Sequence, residues 1–481
     1  MGGLPKKAQI LSSLRQDDSA LLALDSGALL FPSVTLPAGQ LEQMQAKARG
    51  IVAAYNKMSF QAVAVAAPDL AAGLDFLLDM QKQSRFPWLS ANIVDRSTNR
   101  HIFTPHIVLA AGDLRIGVLG LTGPEAAELL SDQDNAVLLP WPEALPPQLA
   151  LANEKSDMLV LLSSLPPAEN KQIAERFPEI HIILQSGTGN SNMAPQLLNN
   201  SLIAWVEKQG RHAGLLDVQW NPREKHWQDP AEVDLLQGKK NEMDGILWQL
   251  GRLRSQGDPE TVYRDQPQRL RTYHALVGRQ KTIQEEIGRL GADVSRQAAG
   301  SGKATFGHRF YAMDRKVPDH PEVRAIVEAT TREVNSIGGL SASGIGNSQP
   351  VATILPLPEG YAGNRTCREC HEGQWNRWRT SRHARAYDTL AAKNQQHNMS
   401  CLPCHVTGGF ARTGPELINH AEELRTVGCE SCHGPGAAHA SAPVQNKPLR
   451  LATELCFGCH TPEQSPNFKV EEAVARLGCG K

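Results

Sequence analysis

All nine cysteines of this 481-residue chain lie between Cys367 and Cys479; residues 1–366 contain none. Eight of them fall in four copies of one five-residue pattern. The copies are Cys367-Arg-Glu-Cys370-His371, Cys401-Leu-Pro-Cys404-His405, Cys429-Glu-Ser-Cys432-His433 and Cys456-Phe-Gly-Cys459-His460. Half of the 16 histidines also lie beyond residue 360. The last quarter of the chain therefore carries a chemistry that the rest does not share.

Cys-x-x-Cys-His is the signature for covalent attachment of a c-type haem. Two thiols add to the two vinyl groups on one porphyrin edge. The next residue then turns its imidazole under the ring to reach the iron. Paired zinc knuckles compete for the cysteines, but zinc does not require a histidine directly after the second thiol. With 16 histidines in 481 residues, four such placements by chance come to about one in a million. A thioredoxin-like redox site would need a single motif. The expected cofactors are four haem c groups, with His371, His405, His433 and His460 as proximal iron ligands.

Four further histidines follow residue 360 outside the motifs: His383, His397, His420 and His439. Four irons need four distal ligands, so bis-histidine, low-spin haems of low potential are expected. Sequence leaves open which histidine serves which haem. Met399 is a competitor for one iron. Arg377, Arg379, Arg382 and Arg385 suit either propionates or a solvated helix face. Cys479 is left over as a free thiol or the site of an intermolecular disulfide.

The fragments Trp375-Asn-Arg-Trp378, Ser381-Arg-His383-Ala and Gly428-Cys-Glu-Ser-Cys-His-Gly-Pro-Gly436 resemble the nitrifier-type tetrahaem cytochromes c, over roughly residues 361–465. That resemblance implies electron transfer through paired, partly stacked haems, with other redox proteins as partners. In that family one haem can lack a distal protein ligand.

The first 230 residues read differently. Apolar runs at Ala20–Asp25, Ala62–Ala66, Ile116–Leu121, Met158–Leu162 and Ile180–Leu184 alternate with helical spacing at Gln40–Tyr55 and Ala72–Lys82. This predicts an α/β fold with a largely parallel sheet. Residues 231–337 predict a helical hairpin, with stripes at Met243, Leu247, Leu250 and at Leu270, Tyr273, Val277, followed by a connecting helix over 321–336. Residues 338–360 read as a Gly- and Pro-rich linker, and 361–481 as a haem-rich module of short helices and irregular chain.

Within that N-terminal region, Gly2-Gly-Leu-Pro-Lys-Lys, Leu22-Ala-Leu-Asp25-Ser-Gly27, Gly73-Leu-Asp-Phe-Leu-Leu78, Phe86-Pro-Trp-Leu-Ser-Ala-Asn92 and Ile116–Thr122 resemble the metallophosphoesterase domain of exported 5′-nucleotidases. The resemblance implies a four-layer α/β sandwich and a two-metal hydrolytic site. The ligand positions, however, are altered. Ala28 stands where the bridging aspartate belongs, and Ala66-Ala67-Pro68-Asp69 replaces Gly-Asn-His-Asp/Glu. Ser164 and Gln185-Ser186-Gly187-Thr188 replace the later histidines. Asp25 and Asp69 survive and read as loop caps. His101, His106, His181, His212 and His226 show no ligand spacing.

Composition narrows the classes further. A hydrophobic share of 41%, a charged share of 21% and a formal charge of −1 fit a globular protein of two or three domains, with no pull toward nucleic acid. No apolar run reaches membrane-spanning length. Thioether attachment is expected outside the cytoplasm, so a periplasmic or extracellular location is expected, with any export signal ahead of Met1. An electron carrier is favoured over a reductase of a small nitrogen or sulfur oxyanion, because four distal histidines leave no iron open. A phosphohydrolase carrying a redox module comes last.

Overall fold

The computed structural model describes all but residues 1–2, 18–19, 38, 187–191, 208–209, 229, 255–257, 302, 315, 344–356, 410–420, 449–452, 462–463, 466–467 and 478–481. Two compact units result. One comprises Pro5–Pro32 and Met58–His320; the other comprises Met1–Leu4, Ser33–Lys57 and Pro321–Lys481.

The first unit has the expected α/β architecture. Strands β1 (Leu24–Asp25), β2 (Ala62–Ala64) and β3 (Trp88–Leu89) form a parallel sheet in that order. A six-stranded sheet has the order β10 (Met193–Leu198), β11 (Ser201–Trp205), β9 (Ile182–Gln185), β8 (Met158–Ser163), β6 (Leu114–Leu121), β5 (His106–Ala111). Its four inner strands are parallel and both edges are antiparallel hairpins.

Side-chain alternation assigns its two faces. Ile116, Val118, Met158, Val160, Leu162, Ile182 and Leu202 pack with Ala62, Ala64 and Leu89 of the small sheet. The intervening Leu119, Leu121, Leu159, Leu161, Ile183 and Ile203 pack against α4 (Trp141–Asn153) and α5 (Pro167–Arg176) through Leu145, Leu149, Ile173 and Ala174. Period-two patterning thus places a sheet-on-sheet core on one side and a helix layer on the other. Each fully buried Leu or Ile contributes roughly 1.5–3 kcal/mol. Gly120 permits the closest approach, since a methyl there would run into the Leu89 carbonyl group. Gly120→Ala is expected to lower stability by about 1–3 kcal/mol in chemical denaturation. No change would mean that the sheets can part freely.

The hairpin of α6 (Pro230–Arg254) and α8 (Pro267–Ser301) forms as expected, with a one-turn α7 (Pro259–Val262) between them. Its seam is rotated from the predicted one: Met243, Ile246 and Leu250 meet Tyr273, Leu276, Ile283 and Ile287. Leu247 and Val277 are exposed instead, each about a third of a turn off the buried stripe. Strand β13 (Thr305–Ala312) was not legible within the helical stretch. It pairs antiparallel with β12 (His212–Gln219), a partner that no local window contains.

In the second unit, α2 (Leu41–Met58) lies with α9 (Pro321–Ser343) and the cysteine-rich segment. The connecting helix runs past its predicted end at 336 to Ser343, taking in two glycines assigned to the linker. Gly338 is buried in packing, which overrides its poor helix propensity. Residues 344–356 of that linker lie outside the described residues. Beyond it the helices among the described residues are short, and include Asn364–Cys370, Glu372–Trp378, Ala386–Ala391, Leu402–His405, Cys429–His433, Ala437–Ser441 and Val470–Leu477. The apolar cluster there is small: Leu390, Met399, Leu402 and Val406.

Candidate functional site

Each Cys-x-x-Cys-His motif closes a helical turn. The backbone N–H of His371 donates to the Cys367 carbonyl (2.9 Å), and that of His460 to the Cys456 carbonyl (2.8 Å). Cys404 and Cys459 donate N–H to Cys401 and Cys456 carbonyls, both at 3.3 Å. Residues three apart on a turn share a face, so the two thiols of a motif project together.

Long-range bonds then join the first motif to the third. Asn364 Oδ1 accepts the Cys429 N–H (2.9 Å), and its Nδ2 donates to the Glu423 carbonyl (3.3 Å). The buried Glu430 carboxylate accepts N–H groups from Ala362 (2.8 Å), Gly363 (2.9 Å) and Gly436 (2.7 Å). Thr407, following the second motif, accepts the Gly428 N–H (2.9 Å) and donates to the Thr426 carbonyl (2.7 Å). As a result thiols of different motifs are neighbours. A hydrogen bond from Cys429 lowers the pKa of Cys367. A bond between Cys459 and Cys404 lowers Cys404 to about 7 and pushes Cys459 up.

The histidines are brought together in pairs. His371 and His439 have ring centroids 6.1 Å apart, and so do His383 and His460. Several rings have one nitrogen fixed by a neighbour: His405 Nδ1 lies 2.7 Å from the Ala386 carbonyl and His439 Nδ1 2.6 Å from that of Asn446. His460 Nδ1 is 3.0 Å from Ser465 Oγ, and its ring stacks on Phe468 at 4.0 Å. A carbonyl partner at Nδ1 selects the tautomer that leaves the Nε2 lone pair free for a metal. Burial lowers the pKa of His383, His397 and His460, which favours the neutral, ligating form. The donor set therefore fits haem iron. Met399 is 1% exposed, inside the apolar cluster. Of the predicted arginines, Arg379 lies over the Trp375 ring, as does Arg368. The predicted ligand His420 and the odd Cys479 lie outside the described residues.

At the C-terminal ends of the N-terminal strands, neutral side chains bond to one another. Ser90 Oγ is 2.8 Å from Thr122 Oγ1, and Asn92 Nδ2 donates to the Thr122 carbonyl (2.8 Å). Ser163 donates to Asn170 (2.7 Å), which donates to Gln185 (3.0 Å). Ser164 Oγ accepts the Gly123 N–H (2.9 Å) and Ser186 Oγ donates to the Gly27 carbonyl (3.2 Å). Asp25 caps its own turn by accepting the Gly27 N–H (3.0 Å). Asp69 is fully buried and accepts four backbone N–H groups, from Ala28, Leu29, Leu30 and Ala66. Of the histidines, His181 is buried, accepts the Leu159 N–H and is pushed down to about 3 by desolvation. His101 and His106 share Gln148, while His212 and His226 bond to Glu207 and the Glu224 carbonyl. Among the described residues, no group of three or more His, Cys, Asp or Glu is placed to hold a metal ion.

Residues 366–434 match the model of the family described as cytochrome c554 and c-prime. That stretch, 69 of the 481 residues, is therefore similar to the cytochromes of that family. Cytochrome c-554 of Nitrosomonas europaea is 34% identical over 92 residues, which are 16% of this chain and 39% of that protein. The N-terminal region is similar to 5′-nucleotidases: that of Vibrio parahaemolyticus is 27% identical over 131 residues, 26% of this chain and 22% of the relative. Among solved structures, the 5′-nucleotidase precursor from Thermus thermophilus aligns over 47% of each chain at 20% identity, with a TM-score of 0.39. The chain thus spans well under two thirds of the curated relatives it matches. Among the described residues, no helix is long and apolar enough to cross a membrane.

Proposed function

We propose that this chain is an exported electron carrier whose residues 361–481 hold four haem c groups. On this reading residues 1–230, a phosphoesterase-like domain without hydrolytic activity, serve as scaffold or docking module for a redox protein partner. The observation that carries the proposal is the pairing of motif histidines with non-motif histidines. Two imidazoles on one iron need about 2 Å for each Fe–N bond and roughly 1 Å more to each ring centre, or about 6 Å in all. The 6.1 Å separations of His371–His439 and His383–His460 match that span. They support these two pairs as axial ligands, leaving His405 and His433 to be matched by His397 and His420.

Haem c supplies a one-electron change at iron. These residues would hold it: the thiol pairs would fix its edge, the carbonyls at Nδ1 of His405 and His439 would orient those imidazoles, and two histidines per iron would keep small molecules off the metal. Neighbouring thiols from the first and third motifs, and from the second and fourth, support closely spaced haems. Neutral, mutually bonded side chains in place of metal ligands support loss of two-metal hydrolysis.

Denatured protein from a maturation-competent host is expected to carry the mass of four covalent haems. Replacing both cysteines of any one motif with alanine should remove one quarter of the haem. Only low-spin iron is expected. Fewer than four haems would overturn the count, and a high-spin component would favour the reductase.

A further inference from the structure

We propose that two helices outside the segment that matches the cytochrome c554 family, α2 and α9, seat His397 as an axial ligand; the proposal rests on the reading of His397 as a distal ligand. The seat grips the main chain of His397 at both ends. Asn335 Oδ1, on α9, accepts its N–H at 2.8 Å. Gln43 Nε2, on α2, donates to its carbonyl at 2.8 Å and to the Val334 carbonyl at 3.1 Å. The other end of the same amide, Gln43 Oε1, accepts the Met399 N–H at 3.0 Å. One side chain, 3% exposed, thus bridges α9 and the loop on either side of residue 398. A turn further along α2, Lys47 Nζ donates to Ser400 Oγ (2.6 Å) and Asn398 Oδ1 (3.3 Å). Every one of these residues lies in the second compact unit.

The glycine pair in α9 makes room for the loop. A methyl on Gly338 would run into the His397 carbonyl oxygen and Cβ, and one on Gly339 would stand 3.5 Å from His397 Cδ2 and 3.9 Å from Nε2. The imidazole therefore lies with its Cδ2–Nε2 edge toward α9. Its Nδ1, on the opposite edge, is buried and has no hydrogen-bond partner in the protein. Leaving a buried imidazole nitrogen unpaired is costly, and five side-chain hydrogen bonds from α2 and α9 hold its loop in place. Ligation of iron through Nδ1 would meet that cost and make use of a pinned main chain. Gln43 and Asn335 are then positioning residues, and α2, drawn from the phosphoesterase-like part of the sequence, is a structural element of a haem site.

The test uses the full, haem-loaded chain, with covalent haem counted by mass. His397→Gly is expected to turn one haem in four high-spin, with low-spin character restored by added imidazole. Gln43→Met, which keeps bulk and removes all three hydrogen bonds, should shift the potential or spin state of that same haem and leave the other three unchanged. Gly338→Ala should do the same by displacing the loop. If His397→Gly has this effect while Gln43→Met and Gly338→Ala leave all four spectra and potentials as in the parent, the seat is refuted and the ligand stands. If His397→Gly leaves every haem low-spin, the ligand reading fails and the seat with it. Should Gly338→Ala not mature, Asn335→Ala, which deletes one bond and adds no bulk, gives the same readout.

Discussion

Glu430→Ala is expected to destabilise the second unit by about 3–5 kcal/mol, read from guanidinium unfolding followed at the Soret band. The residue lies between two cysteines of the third motif, yet it is only 6% exposed and its carboxylate collects three backbone N–H groups. Two come from the turn before the first motif and one from the loop after the third. Alanine would leave three donors without acceptors, that of Gly363 buried and those of Ala362 and Gly436 part-buried, at up to about 1–3 kcal/mol each before relaxation. Glu430→Gln should fall between, because one retained oxygen still serves Ala362 and Gly436 while an NH2 faces the Gly363 N–H. A nearby carboxylate provides the contrast. Glu423 meets Arg365 at 2.7 Å, but that arginine side chain is 83% exposed, so Arg365→Ala should cost under about 1 kcal/mol. Equal effects for Glu430→Ala and Arg365→Ala would show that the three-donor anchor is not what joins the motifs.

Glu430 also marks where sequence reading stops. The haem motifs were legible because covalent chemistry fixes their spacing within five residues, and the sheet was legible because alternation along β6 and β8 is local. Glu430 looks like a variable residue of its motif, since the groups it binds at 362 and 363 lie more than sixty residues away. Gln43 was hidden for the same reason. In sequence it belongs to a helix of the phosphoesterase-like region; in space it serves a loop 354 residues later. Strand β13 and the rotated hairpin seam follow the same rule, as both are decided by a partner outside any local window. The residues at the positions where the resemblance expects metal ligands were legible as Ala, Ser and Gln, but not that these would satisfy one another. That depends on which neutral side chains meet at the strand ends.

Asp69→Ala is expected to cost the first unit a similar amount, about 3–5 kcal/mol. Gly27 and Ala28 both have positive φ, and the N–H groups of Ala28, Leu29 and Leu30 all converge on this carboxylate. Such a concave run of N–H groups is an anion nest. Ala28, where the resemblance expects a bridging aspartate, thus contributes its backbone to the nest. Asp69 also accepts the N–H of Ala66, tying the ends of β1 and β2 to one side chain. Burial is the largest influence on its carboxyl group and, against the pull of four donors, pushes it up to about 6 from 3.8. Between those values the folded chain holds a proton that the unfolded chain releases. Stability from this group is therefore full below about pH 4 and falls as pH rises through 6, by about 3 kcal/mol for roughly two pH units. His181 acts in the opposite direction, because its depressed value makes the fold lose stability as pH falls below 6.5. The difference between parent and Asp69→Asn isolates the carboxyl group. Measured by denaturant unfolding from pH 4 to 7, the stability advantage of the parent should shrink by about 3 kcal/mol as pH rises. A difference that stays flat across that range would mean Asp69 is ionised in the nest throughout, with the four donors outweighing burial.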